Sequence, residues 1–499
     1  MKLQDKYLVP PYKIQISKDI LERQYYTTEV VFDTSKYYSL TNTIEKQILN
    51  DKGFLDLEVV DLQFLLKNLQ GSIEEKLKNY SLDNSKLLIF IRDWMSYKII
   101  GLDRLMPLLI DDCVQEIYLD KPNTPLYLDH QEFGRCTTNI ILSEEELEQF
   151  KTRLCLEKDV VLNILNPSLK VELKTNSFHI RAAIDIPPLA SDGMSMNIRK
   201  LRNKIWTLPE LIHKNMLSIE AAAYLLFILK RRYNITIIGE PGSGKTTLAN
   251  AIDLLTPSEW RKITVEDVIE SIEQTSYGKF QTRYSVSPFE TKMSKNSKSQ
   301  EIIKLLHRSP TWVFLGEIQT AEHSKALFEA LSAGLVGIQT CHGRSTEMMI
   351  LRWINQHEIP LSSILTLDIL IEINSSFEDW KIKRNVFRIV EISKKPLFSK
   401  QIINSLNDID LFETFRFDLK SNSLITNQDL FETPTLNMIR QKEKISRTKF
   451  ENEIDLLKKK LRRLLENKIF DPVKVMNYLL YNQSKIHVNK EKISQKSST

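Results

Sequence analysis

The sequence predicts an α/β protein whose largest part is an open parallel sheet covered by helices on both faces. Three observations predict it. Apolar runs of strand length recur at Ile235-Thr-Ile-Ile, Ile263-Thr-Val, Trp312-Val-Phe-Leu and Val336-Gly-Ile-Gln-Thr. Each run is followed by polar residues, and helical stretches separate the runs. Strands that alternate with helices build a parallel sheet buried on both sides.

A chain of 499 residues exceeds what one core holds, so several domains are expected. Residues 1–90 read as a mixed, variable region with helical stretches such as Leu57 to Leu69, and no chemistry is visible there. Residues 91–203 read as a separate α/β domain. Val114-Gln-Glu-Ile-Tyr-Leu, Pro125-Leu-Tyr-Leu, Phe178 to Ile184 and Ser195 to Leu201 have strand patterns. Ser143 reads as a helix N-cap, with Glu146 closing a capping box. A linker is expected near Asn203 to Pro209, followed by a helix over Leu211 to Tyr233. Residues 204–432 hold the parallel sheet. Ser285 to Gln300, rich in Ser and Lys, reads as a mobile surface loop.

Residues 433–499 read as a helical extension with a disordered basic tail beyond Gln483. Phe450, Ile454, Leu457, Leu461 and Leu464 recur at spacings of four, three, four and three, the stripe of an amphipathic helix. Its Lys and Arg face is either a docking surface or a solvated one.

Composition narrows the class. A 42% hydrophobic and 27% charged chain is that of a folded, water-soluble protein. The excess of 69 Lys+Arg over 64 Asp+Glu is too small to argue for nucleic acid. The longest apolar run, Ala221 to Leu229, is too short to span a bilayer, so no transmembrane segment is expected. Met1 to Ile16 carries Asp5, Lys6, Pro10 and Pro11 where a secretion leader would need an apolar stretch. Cys113, Cys136, Cys155 and Cys341 include no C-x-x-C pair, which fits free thiols in a reducing cytoplasm.

The chemistry lies at the strand ends. Gly239-Glu240-Pro241-Gly242-Ser243-Gly244-Lys245-Thr246, followed by Thr247, fits G-x-x-x-x-G-K-[ST] between a strand and the start of a helix at Thr246 to Leu255. The glycines let backbone N–H groups turn around phosphate oxygens, and the helix N-terminus adds partial positive charge. Lys245 is expected on the β- and γ-phosphates of ATP, and Thr246 on Mg2+.

Ligands of an open parallel sheet bind beyond the carboxyl ends of its strands. Glu266 and Asp267 follow the second apolar run, Gly316 and Glu317 the third, and Cys341 and His342 the fourth. If the four strands are parallel neighbours, these groups join the P-loop on one edge. Glu317 is then the candidate to orient or deprotonate the attacking water. Glu266 or Asp267 could hold Mg2+ through its waters. His342 is either a sensor of the γ-phosphate or a core histidine satisfied by backbone.

These four segments, in this order, resemble the Walker A loop, acidic box, Walker B segment and histidine box of the type II/IV secretion and type IV pilus assembly ATPase superfamily. They read Gly239 to Thr247, Ile263-Thr-Val-Glu-Asp-Val-Ile-Glu, Arg308-Ser-Pro-Thr-Trp-Val-Phe-Leu-Gly-Glu-Ile and Thr340-Cys-His. Upstream, Asp111-Asp-Cys-Val-Gln-Glu-Ile, Pro125-Leu-Tyr-Leu-Asp-His, Pro187-Pro-Leu and Met196-Asn-Ile-Arg-Lys-Leu are similar to the archaeal branch, which includes archaellum and archaeal pilus motors. The resemblance covers about residues 92 to 392.

It implies a RecA-like P-loop NTPase core, a separate α/β N-terminal domain that supplies arginines to the nucleotide, and a helical C-terminal extension. By match those arginines are Arg199 and Arg181. Arg283 stands where the family has another active-site arginine, and a surface charge is the equal alternative. The resemblance also implies a homo-oligomeric, hexameric ring that hydrolyses ATP at the cytoplasmic face of the membrane, against a polytopic platform protein. Two positions depart from the pattern: Thr311 stands where Asp follows Pro, and Gln319 stands where Arg is usual two residues after the glutamate.

Three functional readings follow. The first is an ATP-driven motor for pilus-like assembly or secretion. The second, motivated by Thr311 and Gln319, is an ATP-binding structural or regulatory subunit with weak turnover. The third is a nucleic-acid motor. Only the basic C-terminal segment supports it, and that segment lacks interleaved stacking aromatics.

Overall fold

A computed structural model of the chain describes residues 2–50, 61–80, 84–158, 160–201, 205–286, 297–378, 381–394, 409–426 and 428–481. The chain divides into two compact units. The first comprises Met1–Lys204 with Phe377–Ile382, and the second Ile205–Ser376 with Lys383–Thr499.

In the first unit, nine strands among the described residues form one sheet. They are β1 (Lys2–Val9), β2 (Tyr12–Lys18), β3 (Gln24–Val30), β4 (Val114–Leu119), β5 (Pro125–His130), β6 (Gly134–Ile141), β7 (Ser168–Lys174), β8 (His179–Asp185) and β9 (Ser195–Lys200). Their order is β1-β2-β3-β6-β5-β4-β9-β8-β7. The first three strands add to the reading of residues 1–90 as a mixed region with helical stretches. Tyr12, Ile14 and Ile16 alternate into the core, and β3 adds in parallel to β6. The helices α1 (Tyr38–Leu49), α2 (Leu62–Leu77) and α3 (Ser85–Ile99) share a smaller core with Phe32. The helix expected over Leu57 to Leu69 begins at Leu62, capped by Asp61, and continues to Leu77; residues 57–60 lie outside the described residues. The capping box forms as expected at the start of α4 (Glu144–Lys158). Ser143 N–H donates to Glu146 Oε2 at 2.8 Å, and Glu146 N–H to Ser143 Oγ at 3.2 Å.

The second unit begins with a correction. The helix expected over Leu211 to Tyr233 is two helices, α5 (Leu208–His213) and α6 (Ile219–Leu229). Asn215 turns between them with φ +58°, and the Ser218 hydroxyl caps the second. The sheet holds β10 (Ile235–Gly239), β11 (Arg261–Glu266), β12 (Phe280–Ser285), β13 (Trp312–Ile318), β14 (Gly337–His342), β15 (Ile369–Glu378), β16 (Lys381–Ile392), β17 (Leu411–Asp418) and β18 (Ser423–Ile425). Among the described residues its order is β12-β11-β13-β14-β10-β15-β16-β17-β18. The strands from β12 to β15 in that order pair in parallel, so the four expected apolar runs are parallel neighbours.

Helices cover both faces. On one lie α6, α7 (Lys245–Asp253) and the helices of the C-terminal extension. Between β12 and β13 comes α8 (Lys298–Lys304). The opposite face packs α9 (Ala321–Ser332) and α10 (Thr346–Asn355). In the helical extension, α11 (Arg447–Glu466) buries Phe450, Ile454, Leu457, Leu461 and Leu464, and Phe450 meets Phe227 of α6 edge-to-face at 5.1 Å. The helix α12 (Pro472–Leu480) packs beside it. Of the Ser- and Lys-rich stretch expected as a loop, residues 287–296 lie outside the described residues; its end opens α8. The tail beyond Gln483 also lies outside them. All four cysteines are free thiols.

Candidate active site

The P-loop leaves a fully buried strand and enters α7 at Lys245. A Cβ at Gly239 would sit 2.6 Å from Ser243 Oγ and 2.8 Å from the main-chain oxygen of Ile373, so no side chain fits there. Gly242 (φ +73°) and Gly244 (φ +98°) take the left-handed conformation that glycine adopts without strain. The Ser243 hydroxyl is buried inside the loop with no hydrogen-bond partner, an unmet polar atom where phosphate oxygens would lie. Thr246 and Thr247 occupy the first turn of α7.

Lys245, 6% exposed, donates from Nζ to the carbonyls of Gly239 (3.0 Å) and Glu240 (2.9 Å). Its Nζ also lies 3.1 Å from His342 Nδ1. His342 ends β14 directly opposite Gly239 on β10. Its Nε2 contacts Glu317 Oε1. An ammonium can only donate, so Nδ1 accepts and the ring proton sits on Nε2, from which it is donated to Glu317. Lys245, His342 and Glu317 form one hydrogen-bonded chain from α7 through β14 to β13.

The sequence reading put Glu317 just after its strand. The strand runs on to Ile318, with a bulge between Leu315 and Glu317. At Gly316 a Cβ would come 3.0 Å from Glu266 Cγ, which explains the small residue. Burial alone would raise the Glu317 carboxyl. Hydrogen bonds from His342 and Gln319, with the charge of Lys245, outweigh burial and hold it below its ordinary value. Gln319 Nε2 contacts the other oxygen, Oε2.

The acidic pair behaves differently. Glu266 is 2% exposed and closes a turn, its Oε1 accepting the N–H groups of Glu270 and Ser271, each at 3.1 Å, and its Oε2 accepting the Ser271 hydroxyl. Burial pushes its carboxyl up to about 7 despite these donors. Asp267 is paired with the ammonium of Lys298, which also donates to the Glu317 carbonyl at 2.6 Å.

Sequence reasoning missed Lys298, hidden in a Ser- and Lys-rich stretch with no periodic signal. It also missed Arg352 of α10, which donates to the carbonyls of His342 (3.2 Å) and Gln319 (2.9 Å). Arg344, strongly exposed, pairs with P-loop Glu240 at 3.2 Å.

Arg181 and Arg199 belong to the first unit, where they stand opposite each other on β8 and β9, between Glu172 of β7 and Glu116 of β4. Arg199 Nε is 3.9 Å from Glu116 Oε1. Arg283 is exposed on β12, the edge strand. Four strand spacings separate β12 from β10, about 19 Å, so this chain does not bring Arg283 to its own P-loop. Thr311 donates its N–H to Arg261 at the far end of β13 from Glu317. Six residues of strand put it about 20 Å from the site.

Among the described residues no group of three or more His, Cys, Asp or Glu could hold a metal ion alone. Mg2+ needs no such cage. It binds through few protein oxygens, with substrate phosphates and waters supplying the rest, and the Thr246 hydroxyl beside the loop fits that demand.

Residues 165–366 match the family model described as Type II/IV secretion system protein. An uncharacterized protein of Methanocaldococcus jannaschii is 25% identical over 342 residues, which is 66% of this chain and 45% of that protein. With 52% of a second protein from the same organism covered, the chain spans about half the length of these curated relatives. The type IV secretion system protein PtlH of Bordetella pertussis is 26% identical over 274 residues, 50% of this chain and 79% of PtlH. Among solved structures, the Yersinia pseudotuberculosis ATPase DotB is similar with a TM-score of 0.45 at 14% identity, over 77% of this chain and 93% of that one.

Proposed function

The chain belongs to the type II/IV secretion ATPase superfamily, and from that premise we propose that it binds Mg-ATP at Gly239 to Thr247 and hydrolyses it to drive a pilus-like assembly or secretion machine. The observation that carries the reading is the Lys245–His342–Glu317 chain beside the P-loop. Lys245 holds the β- and γ-phosphates. Ser243 and the loop N–H groups take phosphate oxygens. Glu317, kept ionised, orients the attacking water and accepts its proton. His342, bonded to both, couples the phosphate-reading lysine to that base. Thr246 would hold Mg2+, with Asp267 or Glu266 acting through water; when bound, the ion neutralises charge on the phosphate oxygens.

The finer assignments are part of the proposal. Arg181 and Arg199 complete the nucleotide site from a domain spanning 91–203. Residues 204–432 are the ATPase domain, 433–499 a helical extension and 1–90 a partner-specific region. Arg283, remote from its own P-loop, would serve only across a subunit contact. The chain works as a hexameric ring at the cytoplasmic face of a membrane, against a polytopic platform protein. No helix of the described residues is long and apolar enough to cross a membrane.

One observation favours a second reading, an ATP-binding subunit with weak turnover. The Gln319 amide engages a Glu317 oxygen that the base would need free. Phosphate release from Mg-ATP decides between the two, measured beside Lys245→Ala and Glu317→Gln. Hydrolysis by the parent, with loss of about 10²–10⁴-fold in Glu317→Gln, supports the motor. Tight ATP binding without turnover in the parent supports the second reading.

A further inference from the structure

Lys298 opens α8, and its side chain is fully buried. A buried ammonium is costly unless it is paired and hydrogen-bonded. Here it has two oxygens, one on the Asp267 carboxylate and one on the Glu317 main chain. The pairing explains why these groups meet. β11 and β13 stay in register only as far as Val265 opposite Leu315. Gly316 then bulges, and β13 continues along β14 to Ile318 opposite Cys341. Past Leu315 no further pair with β11 forms, although Gly316 still lies against Glu266, and Glu317 follows directly. Lys298 bridges that break in the pairing, from the residue after β11 to the carbonyl of Glu317.

We propose that Lys298 is a positioning residue, which locks the bulged main chain of Glu317 to Asp267 and so aims the Glu317 carboxylate at His342. This rests on the reading of Glu317 as the base. A bulge re-aims a side chain and weakens the local ladder, so the clamp supplies the rigidity that the missing strand pairing does not. Asp267 acts in this arrangement as the anchor of Lys298.

The test compares Lys298→Met, Asp267→Asn and the double variant in the full chain. Three readouts are used: binding of a fluorescent ATP analogue, turnover at saturating ATP, and the imidazole 15N spectrum of His342, assigned with His342→Asn. Lys298→Met is expected to bind nucleotide as the parent does, to lose turnover about tenfold or more, and to lose the Nε2–H signature of His342. Asp267→Asn keeps the Lys298–Glu317 bond and is expected to keep that signature. The double variant, which also removes the uncompensated carboxylate, is expected to recover thermal stability but neither turnover nor signature. An unchanged His342 spectrum in folded Lys298→Met, or turnover restored in the double variant, would overturn the proposal. If the parent itself proves unable to hydrolyse ATP, the functional reading fails, and the His342 spectrum still decides the role of Lys298.

Discussion

Replacing Glu266 with Gln keeps the shape of a buried side chain and removes its charge. The amide oxygen can accept the N–H groups of Glu270 and Ser271, and the NH2 can donate to the Ser271 hydroxyl, so each contact has a counterpart. The size of the effect follows from burial, which moves the carboxyl from its ordinary 4.5 to about 7. Each unit is worth about 1.4 kcal/mol, so the whole shift corresponds to about 3 kcal/mol. The folded state binds this proton more tightly than the unfolded chain does. The stabilisation is therefore complete below pH 4.5 and is lost as pH rises through about 7. About 2.5 kcal/mol of it falls between pH 5 and pH 8. Glu266→Gln is neutral throughout and escapes that loss, so its stability relative to the parent should rise by that amount over the interval. Urea unfolding at the two pH values, followed by tryptophan fluorescence, measures it. Four of the six tryptophans, Trp206, Trp260, Trp312 and Trp353, belong to the second unit, so the signal reports chiefly the unit that holds Glu266. An equal difference between variant and parent at both pH values would refute the argument, since Glu266 would then be ionised in the fold as it is in water.

Three further expectations are open to direct measurement. Gly239→Ala forces a Cβ against the Ile373 carbonyl, an overpacking worth about 1–3 kcal/mol, and should lower the melting temperature and nucleotide affinity together. Gln319→Ala frees one Glu317 oxygen; a hydrogen bond to a charged group is worth about 1.5 kcal/mol, so turnover should rise by up to about tenfold, and a fall would show that the amide helps the base. Leu461→Ala, at a fully buried site on α11, should cost about 2–5 kcal/mol in urea unfolding; a loss below about 1 kcal/mol would mean that the extension does not share the core of the second unit.

Much of the architecture was legible because it rests on local rules. The five apolar positions from Phe450 to Leu464 follow helical spacing, and all five are buried. The four strands beside the P-loop are short, continuous apolar runs, as both-face burial requires. The N-terminal strands were not read: Tyr12, Ile14 and Ile16 alternate, but half-buried strands carry a weaker signal than the helices after them. The break between α5 and α6 was harder to see. No Gly or Pro marks it, and only Asn215 and Ser218 mark a turn and a cap within a long apolar stretch.

By itself the sequence determined which groups are present and their order: a phosphate-binding loop, two carboxylate-bearing segments and a histidine, each at the end of its own apolar run. Those depend on spacing along the chain, which side-chain periodicity and glycine conformation report directly. Tertiary structure alone decided how the groups act on one another. Register sets His342 opposite Gly239, a bulge turns Glu317 toward it, and a lysine from an unpatterned stretch neutralises Asp267. Glu266 and Glu317 are the same residue type at equivalent strand ends, yet burial raises one while a histidine, a glutamine and a lysine lower the other. Desolvation and hydrogen bonding depend on neighbours in space, and those neighbours come from elements far apart in sequence.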